Sequence, residues 1–127
     1  MIKKQFPRLN KEQAKLVIKK MKEELGPEIT AILDKSGINP DHLVRFQYVS
    51  SLCQNTREQN NISFRQASEK LKIPQYRLKD IERSNTETIQ PDILERYVDF
   101  LGLTTAFNDW KQDNIDIYES IQKNKVR

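Results

Sequence analysis

The stretch from Ser63 to Arg83 leaves room for two short helices and nothing longer. Ser63-Phe64-Arg65-Gln66 has the Ser-x-x-Gln spacing of a capping box, with Ile62 just ahead of it, so a helix starts there. That helix runs only to about Leu71. Pro74 disfavours helical backbone at Ile73, and Lys72-Ile73-Pro74 interrupts the chain. A second helix spans roughly Gln75 to Arg83, where a helical period places Leu78 and Ile81 on one side and Tyr76, Lys79, Asp80 and Arg83 on the other. Two short helices joined by a tight turn make a helix-turn-helix. Ser68 lies four residues before Lys72, ten before Leu78 and thirteen before Ile81. A small side chain thus falls where the two helices approach closely, and apolar ones where the second meets the core.

The rest of the chain reads as helix too. Asn10 and Gln13 form a second capping-box pair, followed at helical spacing by Ala14, Val17, Ile18, Met21 and Leu25 up to Gly26. Lys15, Lys19, Lys20 and Lys22 fall largely on the other, wet side. Gly26-Pro27 breaks the chain and opens a short helix, with Ile29, Ile32 and Leu33 on one side, that ends at Ser36-Gly37. Asn39-Pro40 starts another helix, whose stripe is Leu43, Phe46, Val49 and Cys53, broadened by Leu52. The tail from Thr104 to Arg127 carries Phe107, Trp110, Ile115, Tyr118 and Ile121, expected to pack on the core around Trp110; an exposed stripe there would mark a subunit contact instead. The expectation is an all-α protein, with an N-terminal helical extension over 1–37 and a helix-turn-helix domain with a C-terminal helical tail over 38–127.

Composition narrows the function. With 127 residues, 36% hydrophobic and 31% charged, one core is favoured and large multi-domain enzymes are excluded. Three glycines and five scattered prolines are too little turn punctuation for a many-stranded sandwich or barrel. One cysteine, Cys53, and one histidine, His42, permit no intrachain disulfide and complete no Cys/His zinc site, so neither metal nor other cofactor is expected. Cys53 lies on an apolar stripe with no second histidine to activate it, and His42 reads as an exposed, neutral first-turn residue. There is no Gly-rich phosphate loop and no acid/base pair of defined spacing, so no catalytic residue is assigned and the chain is not read as an enzyme. No apolar run approaches a membrane span, and Met1 to Arg8 lacks a signal-peptide core, which points to a soluble protein of a reducing cytoplasm with no membrane partner.

Charge is uneven. Residues 1–25 hold eight cations against three anions, 26–56 two against three, 57–83 seven against four, and 84–127 five against eight. A basic middle beside an acidic tail provides one face for nucleic acid and another for solvent or a partner.

The stretch Ile62 to Ser84 resembles the phage-repressor (XRE/Cro) helix-turn-helix family. Pro91-Asp92-Ile93-Leu94-Glu95-Arg96-Tyr97-Val98-Asp99-Phe100-Leu101-Gly102-Leu103 resembles that family's following helical segments, so the likeness covers about residues 42–110. It implies a lambda-repressor-like domain. It also implies a structural ion pair between Arg57 and Glu82, which occupy the places of an arginine late in the family's first helix and the glutamate ending its recognition helix. Three positions depart from the family pattern. Phe64 replaces a polar residue that reaches phosphate, Lys72 stands where Gly makes the turn, and Pro74 replaces a Ser or Thr cap. The string Lys72-Ile73-Pro74 is also similar to the helix-turn-helix of RodZ-type cell-shape proteins, in which the fold contacts a protein filament.

On the repressor resemblance, the partner is double-stranded DNA and the helix at 75–83 enters the major groove. Gln75 and Tyr76 then meet bases first, Lys79 donates to guanine or phosphate, and Asp80 accepts from cytosine or repels the backbone. Arg65, Arg77 and Arg83 contact phosphates, with Arg57 behind them. One such unit holds few phosphates, which implies a homodimer on a two-fold repeated site. The RodZ-like similarity implies the alternative, a protein-interaction module of adaptor or antitoxin type with a small protein partner.

Overall fold

The computed structural model describes residues 5–124, which form seven helices and no strand. They are α1 (Lys11–Lys35), α2 (Pro40–Gln59), α3 (Phe64–Leu71), α4 (Gln75–Glu82), α5 (Pro91–Phe100), α6 (Thr104–Asp113) and α7 (Ile115–Gln122). Among the described residues, no helix is long and apolar enough to cross a membrane. The helix starts follow local chemistry. Asn10 and Ser63 each accept from the backbone N–H three residues on, and Gln13 and Gln66 reach back to the cap N–H groups. Pro40 and Pro91 occupy first-turn positions, where a missing N–H costs nothing.

The core is built from Phe46, Val49 and Cys53 of α2, Leu78 and Ile81 of α4, Leu94, Tyr97 and Val98 of α5, and Trp110, Ile117 and Ile121 of the last two helices. Trp110 is fully buried. Its ring meets Phe46 edge-on at 5.6 Å and lies stacked 5.9 Å from Phe107, and its N–H donates to the Arg45 carbonyl at 3.3 Å. In the tail, Ile115 is exposed and Ile117 is buried in its place. Ile117 lies seven residues after Trp110 and four before Ile121, on the same helical stripe as the buried Asn114, whereas Ile115 falls about 140° away from it.

The tail is fastened through Arg45, which is 1% exposed. Its guanidinium donates to Asp41 at 2.6 Å and 3.1 Å, to Asp116 at 2.5 Å and 3.2 Å, and to the Asn114 amide oxygen at 2.9 Å. The hydrogen bond from Arg45 holds the Asp116 carboxyl at about 2, below its ordinary value, against an opposing contribution from burial. A carboxylate whose folded pKa is depressed adds stability above its unfolded pKa and loses it as pH falls through the folded one. Asp116 is over a third exposed, so after screening this amounts to about 1–2 kcal/mol, lost between roughly pH 4 and pH 2. Asp116→Asn is expected to flatten the acid limb of the urea midpoint against pH in that window; an unchanged limb would show that the pair is idle.

α1 is a hairpin and not a straight rod. Gly26 (φ 84°, ψ 168°) breaks it into arms over 11–25 and 27–35. A positive φ with this ψ is open to glycine at little cost. The arms are tied by Lys22 to Asp34 at 3.3 Å and by the Thr30 hydroxyl donating to the Lys22 carbonyl at 3.4 Å. The hairpin packs on α2 along a narrow stripe: Ala14 is its one fully buried residue, whereas Val17, Leu25, Ile29 and Ile32, expected to line the inner side, are exposed. His42, expected to be exposed, is half-buried, and its Nδ1 has no hydrogen-bond partner.

Candidate nucleic-acid interface

α3 and α4 are joined by a turn at Lys72, which sits in the left-handed region (φ 58°, ψ 43°). The N–H groups of Lys72 and Ile73 both return to the Ser68 carbonyl, and the Ser68 hydroxyl donates across the turn to the Ile73 carbonyl at 2.5 Å. The small side chain at 68 therefore stitches the turn as well as making room for it. A lysine in this conformation carries roughly 1 kcal/mol of strain. Lys72→Gly is expected to raise stability by up to about 0.5 kcal/mol in urea unfolding, because relief of that strain slightly exceeds the added unfolded-chain entropy; a loss of stability would contradict it.

The inner side of α4 is locked. Leu78 and Ile81 are fully buried, and the Ser50 hydroxyl donates to the Ile81 carbonyl at 2.5 Å and shares a hydrogen bond with Ser84 at 2.7 Å. Glu82 is held from two sides. Arg57 Nε and Nη2 donate to its two carboxylate oxygens at 2.8 Å and 3.0 Å, and the Tyr97 hydroxyl donates to the same carboxylate. Arg57 Nη1 donates to the Ile62 carbonyl at 2.9 Å, and its guanidinium lies 3.9 Å from the Phe64 ring centre. Burial, and then the bond to Glu82, raise the Tyr97 pKa; burial likewise raises that of Cys53, with a smaller contribution from Glu82.

The outer side of α4 faces solvent. Gln75, Tyr76 and Arg83 are exposed, Tyr76 at 58%, while Arg77, Lys79 and Asp80 are half-buried. Arg77 lies 5.0 Å from the Tyr76 ring centre and reaches the Thr88 carbonyl at 3.4 Å; Asp80 accepts from the Thr88 hydroxyl at 3.0 Å. Lys79 is 5.7 Å from the Phe64 ring centre. Arg65 is exposed on α3 and pairs with Glu69 at 3.1 Å. Pro74 supplies no side-chain cap, so nothing from that residue covers the start of α4. The described hydrogen bonds and ion pairs of α1 run within the hairpin and to Asp116, and none of them reaches α3 or α4.

This packing of two short helices about a left-handed turn settles the architecture. The chain carries a helix-turn-helix domain. Residues 52–106 match the model of a family described as a helix-turn-helix domain, which runs from the later part of α2 to the first turn of α6. Neither the curated proteins nor the solved structures give a significant match.

Within the helix-turn-helix domain, Gln75, Tyr76, Arg77, Lys79, Asp80 and Arg83 come together on and beside one exposed helix, with Arg65 on its partner. Arg57 does not join them. It lies behind them, 8% exposed, with three of its five N–H donors taken by Glu82 and the Ile62 carbonyl, which makes the Arg57–Glu82 ion pair expected from the family resemblance. Sequence reasoning missed the supports of α4: Tyr97, named in sequence only within the segment that resembles the family's following helices, and Ser50, Ser84 and Thr88, whose hydroxyls give no pattern until the chain is folded.

Proposed function

We propose that the chain is a sequence-specific regulator of transcription of the XRE type, binding double-stranded DNA as a dimer with the helix at about 75–83 in the major groove. The observation that carries this reading is the two-sidedness of α4. Its inner face is pinned by buried apolar contacts and the Glu82 pair, and its outer face offers an amide, a phenol and cations to solvent. A rigid helix with an exposed polar face is what major-groove readout requires. Gln75 and Tyr76 are assigned to base edges and Lys79 to guanine or phosphate. Arg65, Arg77 and Arg83 are assigned to phosphates, and Arg57 acts through Glu82 by fixing the helix. Asp80, held by Thr88, is assigned to excluding wrong sequences or accepting from cytosine. In this reading residues 1–37 are an extension of a domain over 38–127, the setting is the cytoplasm, and no catalysis is involved.

A second reading, a protein-interaction module of adaptor or antitoxin type, is favoured by Phe64 and Tyr76. Phe64 begins α3 with an aromatic ring laid on Arg57 instead of a phosphate donor, and Tyr76 is an exposed aromatic of the kind enriched at protein interfaces. Selection from random duplexes with the full chain decides between them. Recovery of a two-fold repeated sequence supports the regulator. Failure to enrich any sequence, with no salt-sensitive duplex binding, overturns it.

A further inference from the structure

The loop between α4 and α5 holds two charged side chains of α4. The Thr88 hydroxyl donates to Asp80 Oδ2 at 3.0 Å, and the Thr88 carbonyl accepts from Arg77 Nη1 at 3.4 Å. The one hydroxyl proton has a second acceptor, the Asn85 carbonyl at 3.3 Å, but the contact to Asp80 is shorter and goes to a charged oxygen, which makes it the stronger. Arg77 and Asp80 stand three residues apart on α4, a spacing at which opposite charges ordinarily pair. Among the described residues no ion pair joins them, and each is bonded to Thr88 instead. Thr88 is in turn placed by its loop. The Asn85 N–H donates to the Asp80 carbonyl at 3.0 Å, and the N–H groups of Thr88 and Ile89 return to the Asn85 carbonyl at 3.1 Å and 3.2 Å. From the tail, Asn124, two residues past α7, uses both protons of its amide Nδ2, one on the Thr86 carbonyl and one on the Ile89 carbonyl, each at 2.9 Å. Thr86 and Ile89 are buried, and Thr88 lies between these two clamped residues.

We propose that Asn124 and Thr88 are positioning residues for the reading face of α4: the tail clamps the loop, and the loop holds Asp80 and Arg77 apart in one arrangement on that face. A carboxylate facing DNA is repelled by phosphates, so it adds sequence preference only when its oxygen is already aimed where a base donor will stand. A hydrogen bond of this kind favours one side-chain rotamer by roughly five- to tenfold. The clamp adds to that, because a loop tied to α7 does not follow a carboxylate that swings away. Without the Thr88 hydroxyl, Asp80 is free to pair with Arg77, and the two charges then cancel each other and do not face the duplex. The inference deepens the DNA-binding regulator proposed above and rests on it for its purpose; the positioning itself is measured without DNA.

The test compares the full chain with Thr88→Val, Thr88→Ser and Asn124→Ala. Without DNA, NMR couplings report the χ1 rotamer of Asp80, and amide hydrogen exchange reports the loop over 85–89. One dominant Asp80 rotamer is expected in the unsubstituted chain and in Thr88→Ser, and averaged rotamers in Thr88→Val and Asn124→Ala. Loop amides should exchange about tenfold faster in Asn124→Ala, with the fold kept because Ile117 and Ile121 still bury α7. With DNA, competition by selected duplexes changed one base pair at a time should show a discrimination of roughly tenfold at one pair, lost in Thr88→Val and Asn124→Ala and retained in Thr88→Ser. A single Asp80 rotamer that survives Thr88→Val and Asn124→Ala overturns the inference, as does base-pair discrimination that both changes leave intact. Averaged rotamers in those two variants, with no duplex bound by the unsubstituted chain, would support the positioning and strike the DNA reading alone.

Discussion

Glu82→Ala is expected to lower the free energy of unfolding by about 3 kcal/mol, because it takes the bidentate partner from the buried Arg57 guanidinium and leaves it only the more distant Glu58 carboxylate at 3.8 Å. The pair is bidentate, with both side chains nine-tenths or more buried, and Tyr97 donates a third hydrogen bond to the same carboxylate. Removing one member leaves a charge and a phenol unsatisfied at once, and both penalties fall where α2, α4 and α5 meet. Replacing both charges with apolar groups, Arg57→Met with Glu82→Leu, should cost much less than Glu82→Ala alone, since no charge is then left behind. Urea unfolding of the three variants checks this. A Glu82→Ala loss under about 1 kcal/mol would mean that water reaches Arg57 and that the network does not fix α4.

The second large effect concerns binding. Tyr76→Ala with Lys79→Ala is expected to weaken association with a selected duplex by roughly a hundredfold, from the lost base contact and the lost phosphate or guanine contact together. The unfolding midpoint should hardly move. Tyr76 is 58% exposed, and the Lys79 ammonium lies 5.7 Å from the Phe64 ring centre at the edge of the domain, so neither side chain supports the core. Unchanged affinity in a folded variant would remove α4 as the reading element and turn attention to the aromatic surface as a protein contact.

Much of this arrangement was legible in the residues themselves. The capping pairs Asn10/Gln13 and Ser63/Gln66, the prolines at 40, 74 and 91, and the alternation around Leu78 and Ile81 act within a turn or two of chain, so local chemistry sets them. The break at Gly26-Pro27 was legible for the same reason. What the sequence hid depends on partners distant along the chain. Whether Val17 or Ile32 is covered is decided by how wide a stripe α2 offers the hairpin, and helical spacing carries no information on that. The burial of Arg45 rests on Asp41, Asn114 and Asp116, two of them about seventy residues away, and an isolated arginine beside an apolar stripe reads as surface. Ile115 was misplaced although the spacing was legible: Asn114, Ile117 and Ile121 follow Trp110 at four, seven and eleven residues, and Ile115 does not share that stripe. For the candidate site, the outward residues of α4 follow from periodicity and the Arg57–Glu82 pair from the family resemblance, whereas the Phe64 ring laid on Arg57 needed the third dimension.

The most direct test of the central claim is the salt dependence of duplex binding by the full chain, read as fluorescence anisotropy of a selected duplex and a scrambled one. With Arg65, Arg77, Arg83 and Lys79 near the backbone, log affinity should fall linearly with log salt with a slope of roughly −3.6 per protomer. The Tyr76→Ala/Lys79→Ala variant should show a shallower slope and lose its preference for the selected duplex. Binding that is absent at low salt, or that shows neither salt dependence nor preference between the two duplexes, would contradict the account.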